Sequence, residues 1–206
     1  TLRAELRQLE SKQWEQITLP HTPFVEPLTV LHQWQGICYY KKKITITPEE
    51  AKKHIWIEFE GAMHLADVWI NGKHVMQHAG GYTPFVVDAT GLLKTGKENE
   101  LLVRLDNRNN SLIPPGKPLE TLDFCYYGGI YRNVHLIAKA DVHITHPILD
   151  GHPAGAGIFI TYPKVSQELS VVDAKTEIKN TSDKEKVVEL RHTLYTWKKQ
   201  KGKDKK

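Results

Sequence analysis

Short stretches in which apolar and polar side chains alternate with a period of two residues recur along this 206-residue chain. Residues 55–60 and 101–106 show the pattern most clearly. Alternation of this kind is typical of β-strands that bury one face. Between two further apolar stretches, the pair Asn71-Gly72 supplies the positive φ angles of a tight type I′ turn, which predicts a β-hairpin. No long stretch repeats with the 3.6-residue period of a helix, so the sequence predicts an all-β fold.

The other strand predictions rest on similar patterns, separated by breaks rich in Gly, Pro and Asn. They cover residues 39–47, 66–70, 73–77, 131–138, 174–179 and 187–195. A short helix is predicted near Pro48 and Glu49, and one turn at residues 92–93. Many short strands with closely spaced turns favour a β-sandwich, because an antiparallel sheet with one apolar face needs a second layer to cover it.

The character of the sequence changes near residue 140, which predicts two domains. Residues 1–140 are long enough for a complete jelly-roll sandwich, whereas residues 141–206 are fewer than the roughly 100 of an immunoglobulin-type sandwich. We therefore expect a partial immunoglobulin-like sandwich that ends in a Lys-rich tail. A partial sandwich leaves apolar faces and strand edges uncovered, so self-association or disorder is expected in this second domain.

The charge and hydropathy of the chain argue against two classes of partner. The formal net charge is +4, but residues 198–206 hold six lysines and one aspartate, which leaves the rest of the chain at about −1. Nucleic-acid binding needs a clustered cationic surface and is not expected of such a body. No apolar run approaches the roughly 18 residues that cross a bilayer, so membrane insertion is not expected either.

No residue pattern matches a common catalytic or cofactor motif. Phosphate-binding glycine loops, the Gly-x-Ser-x-Gly nucleophile motif and the His-Glu-x-x-His metal motif are all absent from the sequence. His74 and His78 follow a hairpin turn, where four residues of strand span about 13 Å, too far for one metal ion. His143 and His146 are expected on opposite faces of a strand. We therefore predict no catalytic residue, no metal ligand and no cofactor in this chain.

Two segments, residues 34–41 and 123–134, combine aromatic side chains with polar ones. Aromatic rings pack on the apolar C–H face of a sugar while Asp or Asn binds its hydroxyls, so the composition is consistent with carbohydrate contact. The other interpretation, which stays open at this point, is core and hairpin aromatics with a turn-forming Asp. These segments also hold the two cysteines, Cys38 and Cys125, for which buried free thiols are expected rather than a disulfide.

Five ordered blocks carry distinctive motifs. They are Ile17 to Pro23, Gly36 to Lys42, Val68 to Asp88 with Trp-Ile-Asn-Gly-Lys and Gly-Gly-Tyr-Thr-Pro-Phe, Gly96 to Asn107, and Gly129 to Val134 with Gly-Ile-Tyr-Arg-Asn-Val. Together they resemble the N-terminal part of glycoside hydrolase family 2, the family of β-galactosidases, β-glucuronidases and β-mannosidases. The resemblance implies a sugar-binding jelly roll, the beginning of an immunoglobulin-like domain and, in a full-length member, a catalytic (β/α)8 barrel.

The resemblance also implies how the chemistry is divided. Retaining glycosidases use two carboxylates held about 5 Å apart, and in this family both come from the barrel, so these 206 residues alone are expected to hydrolyse nothing. By position, Asp123 corresponds to an Asp that reaches the barrel and binds hydroxyls of the terminal sugar. Gln35 stands near the place where galactosidases carry a sugar-binding Asn, with Trp34 beside it. Metal ions, where present, would belong to the parent barrel.

The resemblance leaves several alternatives open. A bacterial-type, exo-acting β-galactosidase is the leading interpretation, with a terminal β-galactoside and the chain's own catalytic barrel as partners and a homo-oligomer as a further expectation. A β-glucuronidase, a stand-alone carbohydrate-binding module and an interaction domain are the others. The chain begins at Thr1 without a signal-peptide pattern, so its compartment stays open between the periplasm and the cytoplasm of a bacterium.

Overall fold

The computed structural model describes residues 9, 13–24, 33–152 and 156–195. The chain divides into two compact units, residues 1–140 and 141–206. The strands of the first unit are β1 (Ile37–Ile44), β2 (His54–Phe59), β3 (Leu65–Ile70), β4 (Lys73–Ala79), β5 (Phe85–Asp88), β6 (Asn99–Asp106) and β7 (Val134–Lys139). Among the described residues, the connections between these strands include the short 3-10 helices Glu50–Lys52 and Leu119–Thr121.

Two antiparallel sheets make up the first unit. One has the strand order β1-β6-β3-β4 and the other the order β5-β2-β7. In the first sheet Val68 lies opposite both Val103 and Met76, and in the second Ile57 lies opposite Val87 and Leu136. Because side chains alternate between the two faces of a strand, this register places one apolar row of each sheet on the same side.

The apolar rows of the two sheets form one hydrophobic core. Its centre includes Phe59 and Phe85, which stack with ring centroids 4.5 Å apart, together with Val68, Val103 and Leu105. All five side chains are 2% exposed or less. The prediction of an all-β sandwich is thereby confirmed.

The Asn71-Gly72 hairpin is present as predicted. Asn71 has φ 51° and Gly72 has φ 78°, the positive values that a type I′ turn requires. The Asn71 side chain also joins the turn to the start of β6, because its Nδ2 donates to Asn99 Oδ1 at 2.9 Å and its Oδ1 accepts from the Glu100 amide at 3.1 Å. The hairpin is therefore fixed both by local backbone geometry and by a contact across the sheet.

The described part of the second unit contains four strands in two ladders. They are β8 (Val142–Ile144), β9 (Ile158–Val165), β10 (Ser170–Thr176) and β11 (Ile178–Asn180). β9 pairs with β10, with a bulge between Val171 and Asp173, and β8 pairs with β11. The predicted strand at residues 174–179 is thus divided between the end of β10 and the start of β11.

Some strand predictions differ from the structure. Residues 187–195 were expected to form a strand but are irregular, with Val187 99% and Leu194 84% exposed. A strand needs a neighbouring edge to satisfy its backbone groups, and an apolar alternation does not supply one. Conversely, β5, β8 and β9 were not predicted; β5 has only four residues, too short to show the alternation.

The two cysteines are both free. Cys38 lies in β1, half-buried against the core, where burial raises the pKa of its thiol to about 12. Cys125 is exposed, so the expectation of a buried thiol is wrong at this position. The reason is its place in an irregular loop, where the side chain of the next residue, Tyr126, rather than that of Cys125 enters the protein interior.

Candidate functional site

Asp123 lies in the loop between the 3-10 helix Leu119–Thr121 and β7, and its side chain is exposed. Its carboxylate makes no hydrogen bond or ion pair with any other described residue. The residues around it are held in place, because Leu119, Leu122 and Tyr126 pack with Met63 in a second, smaller hydrophobic cluster. The loop therefore presents a carboxylate with unused acceptor capacity on a backbone that is anchored on both sides.

A buried glutamine fastens this loop to the segment before β1. Gln33 is only 5% exposed, and its Oε1 accepts a hydrogen bond from the backbone amide of Tyr126 at 2.8 Å. Tyr126 itself is fully buried. A hydrogen bond between buried groups is costly to break, because its partners would be left unsatisfied. Sequence reasoning missed Gln33, since nothing in its neighbourhood distinguishes it from an exposed amide.

Gln35 braces the same region from a second direction. Its Oε1 accepts from the Asn109 amide at 3.2 Å, and its Nε2 donates to Glu120 Oε2 at 3.4 Å. Asn109 completes the brace, because its Nδ2 donates to Glu120 at 3.0 Å and its Oδ1 accepts from the Leu119 amide at 2.8 Å. The structure thus links Gln35 to the Asp123 loop through Glu120.

The charge of Glu120 is favoured by this brace. The hydrogen bond from Asn109 lowers the pKa of the Glu120 carboxyl below its ordinary value, and its own backbone amide and Gln35 act in the same direction. At neutral pH Glu120 is therefore ionised. A carboxylate that already accepts hydrogen bonds from Asn109 and Gln35 has less capacity for a ligand than Asp123 has.

Close packing brings the segment before β1 against the end of the Asp123 loop. Asn107 Oδ1 accepts from the Gly36 amide at 2.7 Å, and its Nδ2 donates to the Trp34 carbonyl at 2.9 Å. A Cβ atom added at Gly128 would lie 2.8 Å from the Trp34 ring and 2.9 Å from the Asn107 amide nitrogen. Only glycine fits there, so the two aromatic segments singled out in the sequence do converge.

A network of charges, in which Asp67, Arg104 and Asp106 are buried and Arg108 is exposed, lies on the outer face of the four-stranded sheet. Arg104 contacts Asp67 and Asp106 at 3.7 and 3.2 Å, and Arg108 forms a paired contact with Asp106 at 2.9 and 2.6 Å. Burial opposes ionisation of Asp106, but the hydrogen bonds and charge of Arg108, with the charge of Arg104, hold the pKa of its carboxyl below the usual value. Most hydrogen-bond donors and acceptors of this charge network therefore bind other members of the network.

An open cavity of about 270 Å³ adjoins this network and is lined by Leu65, Asp106, Arg108, Asn109 and Asn110. Most of these polar side chains already bond within the protein, so the cavity offers a ligand few free groups. Within the described ranges, no three His, Cys, Asp or Glu side chains lie close enough together to hold a metal ion. Over the same residues, no helix is long and apolar enough to cross a membrane.

The arrangement around Asp123 can accept hydrogen bonds. His143 and His146 are each 9% exposed, and His146 bonds through Nδ1 to the Ile148 amide at 3.1 Å. They therefore serve in the second unit as buried polar residues. The Asp123 loop thus presents a carboxylate on an anchored backbone, and the residue that follows it, Phe124, is an exposed aromatic side chain.

Comparison with known protein families gives a match over most of the first unit. The family described as "Glycosyl hydrolases family 2, sugar binding domain" matches residues 13–140. Among curated relatives, a β-glucuronidase of Formosa agariphila is 32% identical over 190 residues, which cover 86% of this chain and 19% of the relative. A β-galactosidase of Thermoanaerobacter pseudethanolicus is 34% identical over 177 residues, covering 83% of this chain and 24% of that protein.

Solved structures show the same likeness in three dimensions. A Bacteroides uniformis β-glucuronidase 2, covalently bound to cyclophellitol-6-carboxylate aziridine, has a TM-score of 0.67 and 32% identity over 82% of this chain and 19% of its own. A putative β-galactosidase from Bacteroides fragilis has a TM-score of 0.71 and 29% identity over 85% of this chain and 25% of its own. The chain thus spans about a fifth to a quarter of the proteins that it resembles.

Proposed function

This chain belongs to the glycosyl hydrolases of family 2, in their sugar-binding domain, and we propose that it is the N-terminal, non-catalytic region of a retaining, exo-acting β-glycosidase. In this proposal residues 1–140 are the jelly-roll sugar-binding domain, and residues 141–206 are part of an immunoglobulin-like sandwich. The catalytic carboxylates belong to a separate barrel, whose sugar site this region helps to complete. The relatives, of which this chain matches only 19% and 24%, support this division of labour.

The exposed and unpartnered carboxylate of Asp123 carries the proposal. An ionised carboxylate accepts two or more hydroxyl protons in charge-assisted hydrogen bonds, which are stronger than neutral ones. Holding that carboxylate on an anchored loop lowers the entropy that binding would otherwise cost. A sugar hydroxyl is thus the partner that Asp123 lacks within the described part of the chain.

Gln35 is proposed as a second, weaker contributor. An amide side chain has two N–H donors and two acceptor lone pairs, so Gln35 retains one of each beyond its bonds to Asn109 and Glu120. It can therefore bind a hydroxyl without releasing the brace. Replacement by Ala should lower kcat/KM of the parent enzyme by about threefold to tenfold, the value of one neutral hydrogen bond.

The substrate proposal has two candidates. A β-galactoside is the leading candidate by resemblance, although the sequence motifs are equally close to those of β-glucuronidases. A β-glucuronide is favoured by the names of several relatives, including a β-glucuronidase of Bacteroides fragilis that is 34% identical over 80% of this chain. Asp123 suits both, because each sugar has hydroxyls to donate, whereas the uronate of a glucuronide would need a cationic partner elsewhere. Comparing kcat/KM of the parent enzyme for the two nitrophenyl glycosides decides between them.

The role of Asp123 is tested by replacing it with Ala in the full-length parent. Loss of a charge-assisted bond to a sugar hydroxyl should lower kcat/KM by roughly tenfold to a hundredfold. Asp173→Ala is the matched control, since Asp173 is an exposed carboxylate in β10 of the second unit, and it should leave kcat/KM unchanged. Unchanged kcat/KM in the Asp123 variant would remove the proposed role.

A second experiment separates a composite site from an autonomous sugar-binding module. The purified 206-residue chain should show no turnover of a nitrophenyl glycoside, and titration with galactose, glucuronate and lactose should give almost no binding, because most of the contacts lie in the barrel. Micromolar to millimolar binding by the chain alone would identify it as an independent module instead.

A further inference from the structure

Two exposed aromatic rings lie beside the proposed sugar contact. Phe124 follows Asp123 in the chain and is 42% exposed, and Tyr82, from the connection between β4 and β5, is 49% exposed. The ring centroids are 5.9 Å apart with an interplanar angle of 71°, an edge-to-face contact. Two segments distant in sequence therefore meet at the surface to form one small apolar corner.

The backbone that carries the two rings of this apolar corner is anchored in both segments. Gly81, which precedes Tyr82, is buried, and its carbonyl accepts a hydrogen bond from the hydroxyl of Tyr131. Phe124 is flanked by Leu122 and Tyr126, both members of the smaller hydrophobic cluster. Because the backbone on both sides is anchored, the rings are held in position rather than free to collapse onto the protein surface.

The folding of the domain does not explain the exposure of these rings. The main core fills without either of them, and leaving nearly half of an aromatic ring in water forgoes the stabilisation that its burial would give. Exposed aromatic side chains that stand together commonly mark contact surfaces. Here Asp123 directly precedes Phe124 in the chain, so the same loop offers hydrogen-bond acceptors and a flat apolar contact.

The Asp123 carboxylate and the aromatic corner suit different parts of a glycoside, the terminal sugar and the leaving group. A terminal sugar that is selected by its hydroxyls has to be enclosed, because discrimination depends on desolvated polar contacts. The faces of the Tyr82 and Phe124 rings accept any group with a flat apolar face, and the corner that they form is open to solvent. This openness suits the outer part of the ligand, the leaving group, whereas the terminal sugar has to be enclosed.

We propose that Tyr82 and Phe124 form an apolar platform that binds the leaving group of the β-glycoside whose terminal sugar contacts Asp123. This inference rests on the proposed function. The ligand class is an aryl leaving group, whose ring packs against the corner. The platform favours such glycosides over those with a small alkyl leaving group.

The test compares two substrates of the full-length parent enzyme, the 4-nitrophenyl and the methyl β-glycoside of the preferred sugar. For each, kcat/KM of the Tyr82→Leu/Phe124→Leu variant is divided by that of the unchanged enzyme, which cancels the intrinsic difference in leaving-group reactivity. Loss of the platform should lower the value for the aryl glycoside by about threefold to tenfold. The value for the methyl glycoside should stay within about twofold.

Two controls make the outcome interpretable. Tyr162 is a similarly exposed aromatic residue in β9, 64% exposed, and Tyr162→Leu should change neither ratio. The thermal unfolding midpoint of the 206-residue chain carrying Tyr82→Leu/Phe124→Leu should stay close to that of the unchanged chain, because leucine keeps apolar contacts where each half-exposed ring is covered.

The possible results separate this inference from the proposed function. If Asp123→Ala lowers kcat/KM for both substrates but the double Leu variant lowers both equally or neither, the platform is refuted and the role of Asp123 stands. If Asp123→Ala has no effect on either substrate, the proposed function fails first. A selective loss for the aryl glycoside together with an effect of Asp123→Ala supports both.

Discussion

Ile57 and Ile160 are isoleucines of antiparallel strands in the two units of this chain, yet their surroundings differ sharply. Ile57 in β2 is 1% exposed and belongs to the main core, whereas Ile160 in β9 is 49% exposed. The contrast is general. Among the described residues of the second unit, Ala156 is the one buried hydrophobic side chain, while Ile158, Tyr162 and many others are exposed.

The difference shows what an apolar strand needs in order to stabilise a fold. In the first unit each sheet covers the apolar face of the other, so the apolar side chains that alternate along each strand are buried between the sheets. In the second unit the ladders β9–β10 and β8–β11 present apolar side chains without a second layer among the described residues. The first unit therefore supplies the rigid base on which the Asp123 loop depends, and self-association or disorder of the second unit stays a prediction.

The largest expected effect comes from truncating the two isoleucines. Ile57→Ala should lower the free energy of unfolding by about 2–5 kcal/mol, because it opens a cavity in a closed core. Ile160→Ala should cost less than about 1 kcal/mol, since half of that side chain is already in water. Urea denaturation followed by circular dichroism, with hydrogen exchange of β2 and β9, measures both. Equal losses of unfolding free energy for the two variants would show that β9 is covered in solution and would contradict the difference between the two units.

An intermediate effect is expected for two asparagines. Asn99 is fully buried, and its Nδ2 lies within hydrogen-bonding distance of the carbonyls of Ile44, Lys94 and Lys97, at 3.3, 2.9 and 3.1 Å. Asn99→Ala should cost about 2–3 kcal/mol, because buried backbone groups lose their partners. Asn180 binds its own turn at the surface, so Asn180→Ala should cost about 0.5 kcal/mol. Differential scanning calorimetry distinguishes the two; a larger loss at Asn180 would contradict the comparison.

The smallest effect concerns two ion pairs and depends on pH. The paired contact of Arg108 helps to hold the pKa of Asp106 below its usual value, and the hydrogen bond from Lys179 does the same for Asp150 in the second unit. A lowered folded-state pKa stabilises the protein above the unfolded-state pKa, and this stabilisation is lost as the pH falls through the folded-state value. Both cations are more than half exposed, so solvent screens both ion pairs. Arg108→Ala should therefore cost about 1 kcal/mol at pH 7, because it removes two parallel hydrogen bonds, and Lys179→Ala, which removes one, less than about 0.5 kcal/mol.

The pH dependence provides the check on this pair of variants. The difference in unfolding free energy between Arg108→Ala and the unchanged chain should be full at pH 7. It should shrink as the pH falls below the ordinary aspartate pKa of about 3.9 and through the lowered pKa of Asp106 in the folded chain. Urea denaturation at pH 7, 4 and 2.5 gives the curve. A difference that is independent of pH would mean that Arg108 acts through packing rather than through the charge of Asp106.

Sequence patterns predicted those parts of the fold that depend on neighbouring residues. The Asn71-Gly72 turn was predictable because its positive φ angles are a local requirement, and β2 and β6 were predictable from their alternation. The prediction of a strand at residues 187–195 was wrong because a strand also requires a partner strand, which a local pattern does not reveal.

The site was predictable only in part. Motif order pointed to Asp123, and the structure places it at the surface of an anchored loop. The brace through Gln35, Asn109 and Glu120 joins residues up to 85 positions apart. Gln33 and the contact of Tyr82 with Phe124 likewise exist only once the fold has brought separate segments together. Such contacts have no signature in a single sequence.

The central claim, that Asp123 binds a hydroxyl of the terminal sugar, is tested most directly by combining Asp123→Ala with deoxy substrates. In the full-length parent, kcat/KM is measured for the complete glycoside and for a series of analogues that each lack one hydroxyl. The account predicts that the loss caused by Asp123→Ala, roughly tenfold to a hundredfold on the complete substrate, falls to within about twofold on at least one analogue, because the bond is already missing there. A loss of the same size on every analogue would contradict the claim.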